Sequence, residues 1–193
     1  MIQQNLIKSL FSAFVIIFTL QSNTSRAVDL HKLQQLSMKA PIETMQYGRL
    51  VGNWAISDSG LDKEGNWNAG PGADWNFYWI LNGTAIQDDW ISPSLDKDKP
   101  KKGRQFGTNI RIYNPKLKQW EMAWASNNGA KIDTFKAKAE GEDVVMRGYY
   151  SGAETKITFF NISKSHFSWK MEQQNKDTKA WKEVYRIEGE RKD

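Results

Sequence analysis

From Arg49 onward, apolar and polar residues alternate in short runs separated by turn residues roughly every 8 to 12 positions, which predicts successive half-buried β-strands. The strongest local signal spans residues 72–92 and centres on Asn82-Gly83. Asn-Gly between two apolar runs predicts a type I′ hairpin turn, because both central residues of that turn need positive φ. Closing the turn there sets Leu81 opposite Thr84, Trp79 opposite Ile86, Phe77 opposite Asp88 and Trp75 opposite Trp90. One face then carries Trp75, Phe77, Trp79, Ile86 and Trp90 with Asp88 among them. The other carries Asn76, Tyr78, Ile80, Ala85, Gln87, Asp89 and Ile91, the half-polar pattern of a sheet wetted on one side.

The first strand is predicted over 50–56. Residues 58–72, with Gly60, Gly65, Gly70, Pro71 and Trp67, read as a loop or lid, and 97–104 as a solvated basic loop. A strand over 106–113 turns through Asn114-Pro115-Lys116 into 119–125. That pairing is expected to group Ile110, Ile112, Trp120, Met122 and Trp124 on one face and to oppose Arg111 to Glu121 on the other. Further strands follow over 131–139, 144–150 and 154–162, then one carrying Phe167, Trp169 and Met171, and a last one over 181–191. About ten sequential strands with hairpin links close most simply into an up-and-down antiparallel barrel, which removes exposed edges. Ahead of it, 28–48 reads as a helical lead-in, with Asp29 as N-cap and Leu30, Leu33 and Leu36 at helical spacing. Pro41 interrupts that lead-in, and a turn through Ile42 and Met45 is expected to pack its apolar side on one barrel end.

Lys8, the apolar run 10–20 and Ser25-Arg26-Ala27 form the pattern of a secretory leader, cleaved after Ala27. The apolar run is about half of the roughly 20 residues a membrane span needs, so no stable membrane insertion is expected after cleavage. The domain layout is thus a leader over 1–27, the lead-in over 28–48 and the barrel over 49–193. The expected location is periplasmic or secreted. With no cysteine in the chain, disulfides and thiolate chemistry are excluded, and the core must supply the stability. Removing Lys8 and Arg26 with the leader leaves 25 basic against 22 acidic residues, or +3, too modest and dispersed to point to nucleic acid.

Gly52-Asn53-Trp54 carries the Gly-x-Trp that opens the barrel of calycins, the superfamily of lipocalins and fatty-acid-binding proteins. Together with Tyr47-Gly48-Arg49-Leu50-Val51, Trp79-Ile80-Leu81-Asn82-Gly83, Phe167-Ser168-Trp169, Lys179-Ala180-Trp181 and Glu190-Arg191-Lys192, it resembles the exported lipocalin-like proteins of a bacterial family of unknown function. The resemblance implies a calycin barrel and no particular activity. It further implies a barrel floor built on Gly52 and Trp54, with Trp54 packed beneath Arg191 of the final strand; Arg186 is the substitute. Haem-binding calycins use a single histidine, so the resemblance also raises His166 as an axial ligand, against a strand-end histidine bonded to backbone or solvent.

Metal and hydrolase templates find no match: the chain has two histidines, no histidine pair at ligand spacing, and no Gly-x-Ser-x-Gly. What remains is aromatic. Trp75, Phe77, Trp79, Trp90, Trp120 and Trp124, with Asp88, are the candidate ligand-binding wall. The same rings could simply fill the barrel, and Asp88 could pair structurally with Arg147 or a tyrosine hydroxyl. The leading expectation is a non-catalytic, monomeric, exported barrel that needs no cofactor and binds a small hydrophobic or aromatic molecule. Two alternatives stand beside it. One is a cofactor-free isomerase-like or cyclase-like enzyme with Asp88 as its acid or base. The other is a carbohydrate- or partner-binding surface built on exposed Trp67 and Trp181.

Overall fold

In strands β3 (Ala73–Ile80) and β4 (Ala85–Ser92) the alternation of the sequence becomes an alternation of burial. Trp75 faces Trp90, Phe77 faces Asp88 and Trp79 faces Ile86, the register expected from Asn82-Gly83. Four residues lie between the strands, and Leu81, Asn82 and Gly83 all take positive φ, at 49°, 54° and 77°. Gly83 answers a second requirement as well. The Ser37 amide donates to its carbonyl at 3.1 Å, and a Cβ at position 83 would stand 1.9 Å from the Gln35 carbonyl oxygen.

These elements belong to a computed structural model that describes residues 34–98 and 100–192. The leader over 1–27, the Asp29 cap, Leu30 and Leu33 lie outside the described residues. The remaining strands are β1 (Gly52–Leu61), β2 (Trp67–Ala69), β5 (Gln105–Asn114), β6 (Gln119–Ser126), β7 (Ile132–Glu140), β8 (Asp143–Tyr150), β9 (Ala153–Phe160), β10 (His166–Gln174) and β11 (Trp181–Arg191). All pairings are antiparallel between chain neighbours, except that β3 passes over β2 to join β1. β11 returns to β1, from Trp54 opposite Arg191 to Gly60 opposite Tyr185, and closes the ring at ten staves. Closure leaves no barrel edge to template aggregation. β2 is an extra strand on the far half of β1, so the stretch 58–72, expected as a loop or lid, is largely a hairpin.

A 3-10 turn (Ile42–Thr44) and the one-turn helix α1 (Met45–Gly48) cap one end. Among the described residues of the lead-in only this part is helical; residues 34–41 are irregular and Leu36 is exposed. The expected packing of Ile42 and Met45 is reversed, since they are 83% and 40% exposed while Thr44, Tyr47 and Leu50 are fully buried. Tyr47 is the residue that docks, edge-on to Trp120 at 4.9 Å and to Phe159 at 5.6 Å. Trp120 donates its indole N–H to the Gln46 side chain at 2.9 Å. Two aromatic contacts and a partly buried hydrogen bond outweigh what Ile42 would gain from burial, so the turn shows Ile42 to solvent.

The β5–β6 pair differs from the sequence expectation by one residue. Arg111 lies opposite Met122, Asn109 opposite Trp124 and Tyr113 opposite Trp120. Arg111 is therefore inside, 1% exposed, while Ile110 and Ile112 face outward at 44% and 42%. The connecting turn takes four residues between Asn114 and Gln119, with Lys118 at φ 49°. The Asn114 side chain accepts from the Lys116 and Leu117 amides at 3.1 and 3.2 Å, which stabilises that longer turn and its register. A one-residue slip sends every side chain to the other face.

A partly enclosed interior beside a buried ion pair

The barrel interior divides into a packed half and an open half. At the capped end Trp54 meets Phe167 edge-on at 4.8 Å, and its indole N–H donates to the Leu50 carbonyl at 2.7 Å. Phe77, Trp79 and Trp120 pack in this half, the Trp79 ring so close that a Cβ on Gly48 would come within 2.7 Å of it. Arg191 lies over the Trp54 ring with its guanidinium carbon 4.1 Å from the centroid. It donates to the Val51 carbonyl at 2.7 Å and to the Arg49 carbonyl at 3.0 Å, tying the last strand to the turn before the first. Gly52, at φ 133°, leaves room for that guanidinium, since a Cβ there would fall 2.1 Å from Arg191 Nη1.

Toward the other end lies a cavity of about 370 Å³. Trp75, Trp90 and Trp124 of the expected wall line it, joined by Phe135, Phe159 and Trp169, which the hairpin pattern could not place. Gln105, Trp124, Tyr150, Met171 and Tyr185 are only partly buried and mark its mouth. The hairpin of β1 and β2 stands beside that mouth, because the Tyr185 hydroxyl donates to the Asp58 carboxylate. Burial and that carboxylate together hold the Tyr185 hydroxyl protonated far above the usual phenol range.

Asp88 is fully buried and is paired with Arg111, itself enclosed between the Tyr47 and Phe77 rings at 5.0 and 5.2 Å. Arg147, the cation expected from the sequence, instead meets Glu140 at 2.8 Å on the outer surface. Burial raises the Asp88 carboxyl above the ordinary range, while the Arg111 charge and the Trp75 indole N–H oppose that rise. The indole N–H stops short of a full hydrogen bond. Asp88 Oδ1, Arg111 Nε and Asn109 Oδ1 are likewise buried without a hydrogen-bond partner among the described residues. Arg111 and Asn109 belong to the cavity wall, whereas Asp88 stands behind it.

Sequence reasoning missed Asn109 and Arg111, although a signal existed. An acid inside an aromatic wall needs a cation, and β5 is the strand next to β4. The other sequence candidates lie away from the cavity. His166 is set between Glu190, at 2.8 Å from Nδ1, and Glu188, at 3.2 Å from Nε2. Trp67 and Trp181 are 37% and 40% exposed, and each carries a cation on its ring, Arg186 at 3.7 Å and Lys156 at 5.1 Å.

No protein-family model matches the chain, and comparison with curated proteins finds no match either. Among solved structures, it is similar to the S-type phycobiliprotein lyase CPES from Guillardia theta, at a TM-score of 0.53 and 9% identity over 79% of this chain and 98% of that one. It is also similar to Rv2717c from M. tuberculosis, at a TM-score of 0.55 and 11% identity over 80% of this chain and 99% of that one. Both neighbours are calycin-like barrels, and the likeness at these identities is one of fold.

Proposed function

We propose that this chain is an exported, monomeric calycin-like barrel that binds a small hydrophobic or aromatic molecule in its open half, without catalysis. The observation that carries the reading is the cavity. Its volume of about 370 Å³ lies within the roughly 300–1,000 Å³ of small-molecule sites, and its wall is aromatic and aliphatic with a few polar groups on one strand. A barrel meant only to be a solid core would fill that space, because unfilled apolar volume costs stability. The non-catalytic choice rests on Asp88, whose one carboxylate oxygen is taken by Arg111 and which does not reach the cavity wall. Export is supported by the pattern of Lys8, the apolar run 10–20 and Ser25-Arg26-Ala27.

The test is native mass spectrometry of protein purified from its own host. The expected spectrum shows a polypeptide beginning at Val28 with a co-purified small molecule that is lost on denaturation. Ile157 lines the cavity, so Ile157→Trp should fill it and abolish the adduct. An unliganded protein that also fails to take up apolar probes would overturn the binding reading. A polypeptide beginning at Met1 in the exported fraction would overturn the leader.

A further inference from the structure

Among the described residues, four of the buried polar atoms that lack a full hydrogen bond cluster around the Asp88–Arg111 pair, with the Trp75 indole facing Asp88. Arg111 Nε and Trp75 Nε1 are donors, and Asn109 Oδ1 and Asp88 Oδ1 are acceptors. Three of the four residues, Trp75, Asn109 and Arg111, form part of the cavity wall. Asn109 is 4% exposed, and its carboxamide can turn either its oxygen or its nitrogen to the cavity. A native interior leaves few such groups unpaired, and each one costs stability until something pairs it. We propose that this inner end of the cavity receives a neutral amide-like group, a carbonyl acceptor and an N–H donor side by side, carried on an aromatic or aliphatic body. The proposal rests on the ligand-binding reading above and names the class of ligand.

Charge decides against the alternatives. The Arg111 positive charge is already matched by Asp88, so the buried pair presents no net charge to a ligand. A carboxylate entering the cavity would bring an uncompensated negative charge near Asp88, and an ammonium would bring a positive one near Arg111. A hydrocarbon would bury the same atoms still unpaired. A sugar would lay most of its hydroxyls against Phe135, Met146, Ile157 and Phe159, which offer them nothing. An amide presents one acceptor for the Arg111 Nε–H and one donor for Asn109, and it adds no charge.

The experiment compares three probes with one ring system, 2-naphthamide, 2-naphthoate and 2-methylnaphthalene, by calorimetric titration of the full chain at neutral pH. The amide is expected to bind about tenfold or more tightly than the methyl compound, the factor that pairing one or two buried groups supplies. The naphthoate is expected to bind no tighter than the methyl compound. Asn109→Leu should shrink the preference for the amide to less than about threefold. If that variant fails to fold, the order of the three probes on the unsubstituted chain decides alone. Naphthoate binding tightest, or three equal affinities, would overturn the proposal while leaving a binding cavity in place. No uptake of any probe would overturn the cavity reading and the proposal with it.

Discussion

Separating Asp88 from Arg111 should reveal how strongly the barrel depends on one ion pair. The two side chains are 0% and 1% exposed, so water cannot replace a lost partner. Asp88→Asn keeps the shape of the side chain and strands the guanidinium between Tyr47 and Phe77, with an expected loss of about 3–5 kcal/mol. That is a third or more of the stability of many domains, which lies at about 5–15 kcal/mol. Arg111→Met strands the carboxylate instead, with a similar loss at neutral pH. The two variants should differ in acid. In Arg111→Met the folded carboxyl is raised by burial, so its stabilising protonated form is complete below the unfolded value of 3.8 and is lost as pH rises toward the folded value. The Arg111→Met deficit should therefore shrink as pH falls toward about 4, and the Asp88→Asn deficit should not. The double replacement Asp88→Asn with Arg111→Met removes both charges and closes the cycle, so its loss should fall well short of the sum of the two single losses. Urea unfolding followed by tryptophan fluorescence measures all four corners of the cycle. Losses that simply add in the double variant would refute the pairing, because independent groups show no coupling.

Trp54→Ala should cost about 3–5 kcal/mol, since the ring is fully buried between Phe167 and Arg191, whereas Trp67→Ala should cost about 1 kcal/mol or less; equal denaturation midpoints would contradict this. Gly83→Ala combines an unfavourable positive φ with a clash against the Gln35 carbonyl, so thermal unfolding should show a loss of about 1–3 kcal/mol, and an unchanged midpoint would contradict the docking of residues 34–41 on the hairpin. Tyr78 donates to Asp89 at 3.0 Å, and burial and that bond push its hydroxyl up to about 12. Ultraviolet titration should show it ionising well after an ordinary phenol. Stability should fall as pH rises above about 10, where the unfolded chain has released that proton and the folded chain still holds it; joint titration of all tyrosines near 10 would contradict the assignment.

Much of this protein follows from local sequence alone. Period-two alternation and short turns dictate sequential antiparallel strands, and such strands must close to hide their edges, which leads to the ten-stave barrel. Asn82-Gly83 marks the reversal, and although Leu81 joins them at positive φ the flanking strands pair in the expected register, so Asp88 falls inside with Trp75 and Trp90. β5 was beyond this kind of reading. Phe106, Ile110 and Ile112 make its outer face the more apolar one, so hydrophobicity pointed to the wrong side, and what turned Arg111 inward is a four-residue turn together with an acid on β4 that must be matched. The division of the aromatic wall is also a property of three dimensions. Trp79 and Trp120 are packed by a lead-in remote in sequence, while Trp75, Trp90 and Trp124 look onto space that no described side chain enters. Alternation tells which face is inside, but the volume left there depends on how ten strands and a cap meet, and that sum is settled only when the barrel closes.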